Sequence, residues 1–358
     1  MTTTFAPILA PLLAERERDQ TFSGAALITQ GDKDLFSGAY GYANRPWRIK
    51  NHLDVRFDTA SVTKMFTTVA ILQLIDQQRL SLTTRVIEFL GLTDTTISPD
   101  VTVYHLLTHS SGIADDAEEE KGELYEDLWK TKPNYSVTTT ADFLPQFIHK
   151  PPNFKPGEGC WYNNCAFILL GLLIEKITGL AYREYVQTFI FEKIGLTRTA
   201  FLRLDGVYGD VAEGYAPIED EAGHITGWRK NIYAFPPIGS PDSGAYTTVR
   251  DLDTFLKAIQ RGQLLSPELT RDLQTPHVFY RETTNFIQKY GSGFQFDFDK
   301  QGKLVCYRKE GVNPGVSAVI AHYPDYQLNV SILANQDEAA DTLFWDIHDR
   351  LLAGKLTV

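Results

Sequence analysis

The sequence predicts an α+β fold in which an antiparallel sheet, flanked by helices from both ends of the chain, carries an inserted all-helical lobe. A first helix is expected from about Phe5 to Arg18, followed by two β-prone runs joined by the turn-like QGDKD. From Ser61 to about Ile194 the apolar residues recur at helical spacing, and β-prone runs return from about Gly291. Strands at both ends with helices between them indicate one sheet built from the two termini.

The middle of the chain contains four segments with helical or near-continuous apolar patterns: MFTTVAILQLIDQQ, TVYHLLTHSSG, TTADFLPQFIHK and NCAFILLGLLIEKITG. Gly112 and Gly179 lie where a helix end needs a left-handed residue. Later strands are predicted in GSGFQFDF, KLVCYRKEG, VSAVIAHYP and YQLNVSILANQ, and a last helix in EAADTLFWDIHDRLLAG. We expect a discontinuous sheet domain (1–58 plus 235–358), a helical domain (59–234) and an active site between them.

Composition restricts the class of protein. The chain has 358 residues, 43% of them hydrophobic and 22% charged, which is ordinary for a soluble globular protein. A formal charge of −11 argues against nucleic acid or an anionic membrane as the partner. The sequence contains no run of about 20 apolar residues and its N-terminus does not resemble a secretion signal, so a cytoplasmic location is expected. Three cysteines are too few for a disulfide framework.

The first chemical motif is Ser61 followed three residues later by Lys64, at the start of an apolar helix. Residues three apart are neighbours on one helical face, and a helix N-terminus carries partial positive charge. A desolvated lysine held there loses its proton near neutral pH and serves as a base for the serine. The motif alone is not specific, because about one S-x-x-K arises by chance in a chain of this length and serine is also a good N-cap.

Two further segments supply the groups that such a serine needs. GCWYNNCAFILLG offers Tyr162 and Asn164 just before an apolar helix, and YRKEGVNPG offers Lys309 and Gly311 on a predicted strand. A nucleophilic serine requires a base, a proton donor for the leaving group, an amide to hold the substrate and an oxyanion hole. Together the three segments are able to provide all four.

Other candidate motifs are weaker. A second tyrosine–asparagine pair, Tyr42 and Asn44, opens no helix and is interpreted as structural. His105 and His109 lie four apart like half of a zinc site, but the HExxH glutamate and a third ligand are missing. The acidic run Asp115–Asp127 has no ordered alternation of ligands and is interpreted as a solvated loop, so no metal is expected. A Ser-His-Asp hydrolase is disfavoured because no G-x-S-x-G is present.

The three segments read S-V-T-K, Y-N-N and K-E-G in that order, and with them the sequence resembles the β-lactamase-related serine hydrolases. This group contains penicillin-binding proteins, class C β-lactamases, D-specific peptidases and the esterases of this fold. The resemblance extends roughly from Phe22 to Asp337 and includes VTVYHLLTHSSGI and GVNPGVSAVIAHYPDYQLNVSILANQD. It implies the β-lactamase/penicillin-binding-protein fold and acyl-enzyme chemistry with no cofactor and no metal.

The catalytic roles that follow fall on four residues. Ser61 is expected to be the acylated nucleophile, and Lys64 to take or share its proton. Tyr162 is expected to relay a proton to the leaving group and later to activate water. Lys309 is expected to face Tyr162 and to lower the pKa of the phenol. Whether Lys64 or Tyr162 is the acylation base stays open, because coupled groups titrate as a unit.

Four residues are expected to bind substrate: Asn164, Glu310, Gly311 and Val312. By resemblance, Asn164 holds the amide carbonyl of the substrate, and the backbone N–H groups of Val312 and the serine form the oxyanion hole. Glu310 occupies a position where β-lactam and D-Ala-D-Ala enzymes commonly have threonine or serine. Facing the cleft, its charge would repel a carboxylate and favour a cation; on the other face of the strand it would do neither.

The expected activity is hydrolysis of a small-molecule ester, amide or peptide substrate. A penicillin-binding D-Ala-D-Ala carboxypeptidase or weak β-lactamase is the alternative, and a non-catalytic binding or scaffold protein is the alternative from another class. An apolar acyl pocket is expected from the aromatic residues Tyr125, Trp129, Trp161, Tyr233 and Phe235, with the loop AFPPIGSPDSG as a rigid cleft wall. The sequence gives no indication of oligomeric state.

Overall fold

The computed structural model describes residues 4–357. The α-helices of these residues are, in chain order, α1 (Phe5–Arg18), α2 (Lys64–Asp76), α3 (Val86–Leu90), α4 (Val103–Leu107), α5 (Cys165–Thr178), α6 (Tyr182–Val186), α7 (Val249–Gln260), α8 (Pro267–Leu273) and α9 (Ala339–Leu352). The strands are β1 (Gly24–Gln30), β2 (Lys33–Tyr40), β3 (Tyr42–Asn44), β4 (Ile49–Lys50), β5 (Phe57–Asp58), β6 (Tyr215–Glu219), β7 (Ile225–Lys230), β8 (Tyr246–Thr247), β9 (Val278–Glu282), β10 (Ile287–Tyr290), β11 (Gln295–Phe298), β12 (Leu304–Asn313), β13 (Val316–Tyr323) and β14 (Leu328–Ala334).

Eight strands form one antiparallel sheet in the order β2-β1-β14-β13-β12-β11-β10-β9. Strand β1 pairs along all of β14, from Gly24 opposite Ala334 to Gln30 opposite Leu328. The first and last strands of the chain are therefore neighbours in the sheet. This pairing confirms the predicted α+β fold, in which both ends of the chain build one sheet.

The two faces of the sheet are covered by different helices, because side chains on a strand alternate between faces. On β13, Val319, Ala321 and Tyr323 belong to the apolar cluster formed with the terminal helices α1 and α9. Ala318 and Ile320, from the same strand, join the larger core that contains α2, α5 and α7. Helix α1 occupies its predicted residues and closes the first of these faces.

Three regions differ from the sequence-based expectation. The C-terminal strands begin with β9 and β10, before the predicted start at Gly291, and the β6–β7 hairpin lies inside the predicted helical domain. Strands β7 and β9 contain no buried residue and β10 has only four residues, so none of them shows the extended apolar alternation that marks a strand. The predicted helix in TTADFLPQFIHK is a 3₁₀ segment, Thr140–Gln146, because Pro145 has no N–H to donate. The division at residues 58 and 235 stays a prediction.

The two predicted left-handed glycines have different functions. Gly179 ends α5 with φ of +75°, as predicted. Gly112 also has positive φ, but α4 ends at Leu107 and the glycine lies in the loop beyond it. A Cβ on Gly112 would lie 2.0 Å from the carbonyl oxygen of Phe154, so glycine is required there for a close approach of two loops.

Within the described residues, no single helix combines the length and the apolar composition of a membrane span. One pair, Cys165–Thr178 followed by Tyr182–Ile194, meets both criteria when taken together, with a bend of 79° between its members.

One contact between the sheet and the helices positions the functional site. A 3₁₀ turn, Ala60–Thr63, leads directly into α2. Strand β12 continues five residues beyond Arg308, its last partner for β11, and ends at Asn313. In this overhang a Cβ on Gly311 would lie 2.6 Å from the backbone nitrogen of Ser61. Glycine therefore lets the end of β12 lie directly against the serine turn.

Candidate active site

Ser61 lies in the 3₁₀ turn before α2, not in the α-helix itself, which begins only at Lys64. Asp58 stabilises the turn, because its carboxyl group accepts a hydrogen bond from the Ala60 N–H at 2.7 Å. Ala60 adopts a positive φ of 42°, a conformation that costs free energy in a non-glycine residue. The sequence thus holds Ser61 in a tight turn, half-buried and facing the cavity.

Lys64 is fully buried beneath the serine. Its Nζ lies 3.0 Å from Ser61 Oγ, 2.7 Å from Asn164 Oδ1 and 2.9 Å from the backbone oxygen of Asp242. Burial lowers the pKa of Lys64, while the negative charges of Asp242 and Glu119 raise it in part. The ammonium form is therefore less favoured than in water, which makes the amine available as a base.

Tyr162 also contacts the serine oxygen. Its hydroxyl donates a hydrogen bond of 2.7 Å to Ser61 Oγ. Burial raises the pKa of Tyr162 well above its usual value, and Glu119 raises it further. The pKa of Tyr162 is therefore raised overall, because the cost of burying a phenolate dominates, and the expected lowering effect of Lys309 stays a prediction.

Lys309 does face Tyr162, as predicted, with its Nζ 4.6 Å from the centre of the phenol ring. The side chain is buried. Burial, and then repulsion by Lys64, lower the pKa of Lys309 to about 7. Two buried lysines near one phenol therefore discourage each other's protonation.

Ser61, Tyr162 and Lys309 line a cavity of about 410 Å³ between the sheet and the helices. All four residues expected to bind substrate also line it: Asn164, Glu310, Gly311 and Val312. Asn164 turns its Oδ1 to Lys64 and its Nδ2 to Asp115. Val312 is exposed at the rim, on the part of β12 that no longer pairs with β11.

Glu310 lines the cavity, but its carboxylate forms an ion pair with Arg308. It accepts a hydrogen bond from Nη1 of Arg308, two residues earlier on the same face of β12. Lys309, between them, faces Tyr162 on the other side of the strand. The charge of Glu310 is thus largely neutralised by Arg308, and the predicted preference for a cation does not follow from this residue.

The acidic run departs most from its prediction as a solvated loop. Its first two carboxylates, on Asp115 and Asp116, are buried, and Glu119 and Glu120 line the cavity. Glu120 accepts hydrogen bonds from the Tyr280 hydroxyl at 2.6 Å and from the Tyr162 backbone N–H at 3.2 Å. The sequence did not indicate these roles, because a cluster of like charges normally lies on a surface that faces solvent.

Asp115, Asp116 and Cys165 have ligand atoms within 4.8 Å of one another. Both oxygens of Asp115 already accept hydrogen bonds from the start of α5. Burial raises the pKa of Cys165 well above its usual value and favours the thiol over the metal-binding thiolate. This donor set fits a metal poorly, and the expected absence of a metal stays a prediction.

The two histidines do not act as a pair. His105 Nδ1 lies 3.1 Å from the hydroxyl of Thr102 and caps α4. His109 is buried, accepts the Asn163 N–H at its Nδ1, and packs its ring 4.7 Å from that of Tyr162. His109 therefore packs against the ring of Tyr162. The sequence did not reveal this contact.

Of the five aromatic residues expected to form an acyl pocket, only Tyr125 lines the cavity with the serine. Trp129 is buried in the helical core and Tyr233 is exposed. The aromatic wall is completed by Tyr280 and Tyr290, from β9 and β10, two strands that the sequence did not predict. The loop AFPPIGSPDSG does border the cavity, through Asp242 and Ser243.

Comparison with known proteins places this site in a family. A family model described as Beta-lactamase matches residues 9–354. The solved structure of a penicillin binding protein from Bacillus halodurans has 36% sequence identity and a TM-score of 0.85, covering 94% of this chain and 99% of that chain. An octameric penicillin-binding protein homologue from Pyrococcus abyssi has 26% identity and a TM-score of 0.82, covering 98% and 77%.

Among curated sequences, Protein flp of Staphylococcus aureus (strain N315) is 26% identical over 320 residues, which are 86% of this chain. The chain spans 58% of the length of that relative. Because the family model covers nearly the whole chain and the structural likeness agrees with it, the chain belongs to the Beta-lactamase family, whose members are serine hydrolases.

Proposed function

We propose that this protein hydrolyses an ester or amide bond of a small acyl or peptide substrate through an acyl-enzyme on Ser61. The observation that carries the proposal is the contact of both Lys64 Nζ and Tyr162 Oη with one serine oxygen inside a cavity. An amine and a phenol together supply a base and a proton carrier without an imidazole.

In acylation, the neutral amine of Lys64 takes the proton of the Ser61 hydroxyl as its oxygen attacks the carbonyl carbon. The lowered pKa of Lys64 and the raised pKa of Tyr162 support this assignment over a phenolate base. Tyr162 stays a phenol and hands its proton to the leaving group, recovering one from the lysine. The same pair then takes a proton from the water that attacks the acyl-enzyme.

The carbonyl oxygen of the substrate becomes negatively charged when the serine attacks, and it needs hydrogen-bond donors at that position. The close approach of Gly311 to the serine turn supports an oxyanion hole formed by the backbone N–H groups of Ser61 and Val312. Asn164 directs one amide hydrogen at Asp115, and its second is available to Glu119 or to the amide carbonyl of a substrate. The pKa of Lys309 is about 7, so the side chain is partly protonated at neutral pH. Its protonated form stabilises the anionic transition state.

For substrate preference, the acid that matters is Glu119, not Glu310. Glu119 lines the cavity beside Ser61, and desolvation raises its pKa, while Lys64 and a contact with Asn164 lower it in part. A carboxylate on the cavity wall attracts a cationic group and repels an anionic one. We therefore assign the site to acyl or peptide substrates with a free amine. The cytoplasmic location expected from the sequence stays a prediction.

A second candidate, a penicillin-binding carboxypeptidase or weak β-lactamase, is favoured by the names of two solved relatives, both penicillin-binding proteins or homologues. The pairing of Glu310 with Arg308 removes one obstacle to a substrate carboxylate. The non-catalytic scaffold is disfavoured because all three motif segments contribute side chains to one cavity.

The decisive experiment compares the wild-type chain with Ser61→Ala on a p-nitrophenyl ester, followed by intact mass measurement after exposure to a fluorescent penicillin. We expect ester turnover by the wild type, none by the variant, and equal thermal unfolding temperatures. A stable penicillin adduct without ester turnover would support the second candidate. Equal turnover by Ser61→Ala would refute the role of the serine, and an inert wild-type chain would support the scaffold.

A further inference from the structure

The carboxylate of Asp115 lies beneath the cavity, at the N-terminus of α5. It is 1% exposed. Its Oδ2 accepts the backbone N–H of Asn164 at 2.8 Å, and its Oδ1 accepts that of Cys165 at 2.9 Å. These two N–H groups belong to the start of the helix, where no backbone acceptor is available. The loop that carries Asp115 is thereby tied to the residues that follow Tyr162.

One further bond links Asp115 to the chemistry. Its Oδ2 also accepts the side-chain Nδ2 of Asn164 at 3.2 Å, while Asn164 Oδ1 accepts from Lys64 Nζ at 2.7 Å. Both Asp115 oxygens accept backbone N–H groups and Lys64 has no acceptor atom when protonated, so the amide points its NH₂ group at Asp115 and its oxygen at the lysine. A chain of two hydrogen bonds therefore runs from Asp115 through the amide to Lys64.

We propose that Asp115 is a positioning residue, which fixes the orientation of Asn164 and through it the place of Lys64 under Ser61. This role rests on the proposed function, since it concerns the same serine. It gives the buried start of the acidic run a purpose beyond capping α5: if the amide turned over, its NH₂ group would oppose the lysine and its oxygen would oppose the substrate carbonyl.

Asp116 provides a matched control. It is equally buried, at 2% exposure, and is the next residue in the loop. Its carboxylate accepts the Ala117 N–H at 2.9 Å, and no bond to Asn164 is found among the described residues. Lys150 donates to the backbone oxygens of both Asp115 and Asp116, so the loop is anchored independently of either carboxylate.

The first test compares Asp115→Asn with Asp116→Asn. In Asp115→Asn an NH₂ group replaces one of the two acceptor oxygens, so it opposes either the Asn164 NH₂ group or the Cys165 N–H. Either clash displaces Asn164 at the start of α5, and Lys64 shifts with it. We expect kcat/KM for a neutral p-nitrophenyl ester to fall about 100-fold, mainly in kcat, as small displacements of a catalytic group cause. Asp116→Asn is expected to stay within about threefold of wild type. Equal losses in the two variants would overturn the proposal.

The second test exchanges the partners. In the double variant Asp115→Asn with Asn164→Asp, the amide at 115 donates to the carboxylate at 164, whose other oxygen still accepts from Lys64. We expect this variant to be at least about tenfold more active than Asn164→Asp alone, where two carboxylates oppose each other. Should Asp115→Asn alone fail to fold, the exchange still decides the question. A double variant no better than Asn164→Asp overturns the proposal.

The outcome is separable from that of the proposed function. Ester turnover by the wild type that is lost in Ser61→Ala upholds the serine mechanism, whatever the Asp115 variants do. With that turnover established, an Asp115→Asn variant of normal kcat/KM overturns the positioning role alone. A wild-type chain that is inert toward both the ester and the penicillin overturns both.

Discussion

Strand β12 carries two buried cations that are adjacent in sequence, one on each face. The pKa of one is raised and that of the other is lowered. Lys309 faces the cavity, where burial and the charge of Lys64 lower its pKa to about 7. Arg308 faces α9, packing 5.0 Å from the ring centre of Trp345. Burial alone would lower the pKa of Arg308, but Glu310 and Asp297 more than offset that effect and raise it.

The difference shows that the partners of a buried cation, not burial itself, decide its charge. On the α9 face, Asp297 accepts from Arg308 Nε at 2.7 Å and completes a charged network with Glu310. On the cavity face the charge with the largest effect on the pKa of Lys309 is that of another lysine, Lys64. One face holds a permanent charge for stability, and the other holds a cation that exchanges its proton near neutral pH, as the proposed chemistry requires.

The largest expected effect comes from removing the cation on the α9 face. Arg308→Met leaves the fully buried Asp297 without its ionic partner, and we expect the free energy of unfolding to fall by about 3–5 kcal/mol. Urea unfolding followed by circular dichroism measures it. Arg281→Met is the control, because that arginine is exposed and its side chain donates to Gln288; its loss should stay below about 1 kcal/mol. Similar losses in both variants would contradict the contrast.

Removing the cation on the cavity face is expected to increase the free energy of unfolding instead of decreasing it. Lys309→Met should abolish efficient turnover but raise the free energy of unfolding at pH 7 by about 1–2 kcal/mol, as replacement of a strained functional group does. The pKa of Lys309 is 10.5 in an unfolded chain and about 7 when folded, so the unfolded state binds more protons between these values.

The cost of burying Lys309 is therefore full below pH 7 and fades as pH rises toward 10.5. The stability advantage of Lys309→Met over wild type should shrink accordingly when urea unfolding is repeated at about pH 9.5. An advantage that is independent of pH would show that Lys309 keeps its proton in the folded protein.

The smallest effect distinguishes the two acids. Glu119→Gln should raise KM about threefold to fivefold for an amino-acid p-nitroanilide with a free amine, the size expected of an exposed ion pair. KM for a neutral acyl p-nitrophenyl ester should not change. Glu310→Gln should leave both values within about twofold, because its carboxylate is engaged by Arg308. A larger effect of Glu310→Gln on the cationic substrate would restore the original interpretation of that residue.

Much of the fold followed from local patterns. Helix α1, the β1–β2 hairpin, strands β11–β14 and α9 lie where apolar spacing predicted them, because each buries a regular apolar face. Strands β9 and β10 and the β6–β7 hairpin were missed, because β7 and β9 contain no buried residue and β10 is only four residues long, so they leave little trace in the hydrophobic pattern. In the site, the grouping of Lys64, Tyr162 and Asn164 around Ser61 was anticipated, but the pKa direction of Tyr162 was not.

The sequence by itself determined which chemical groups are available: a serine three residues before a lysine, a tyrosine two residues before an asparagine, and a lysine and glycine near a strand end. These spacings are local, and local geometry follows from the chain. Only the tertiary structure decided the charge of each group and which acids face the cavity. Burial and pairing act between segments far apart in the chain, so Asp115 and Glu119 gained roles, and Glu310 lost one, through contacts that no spacing records.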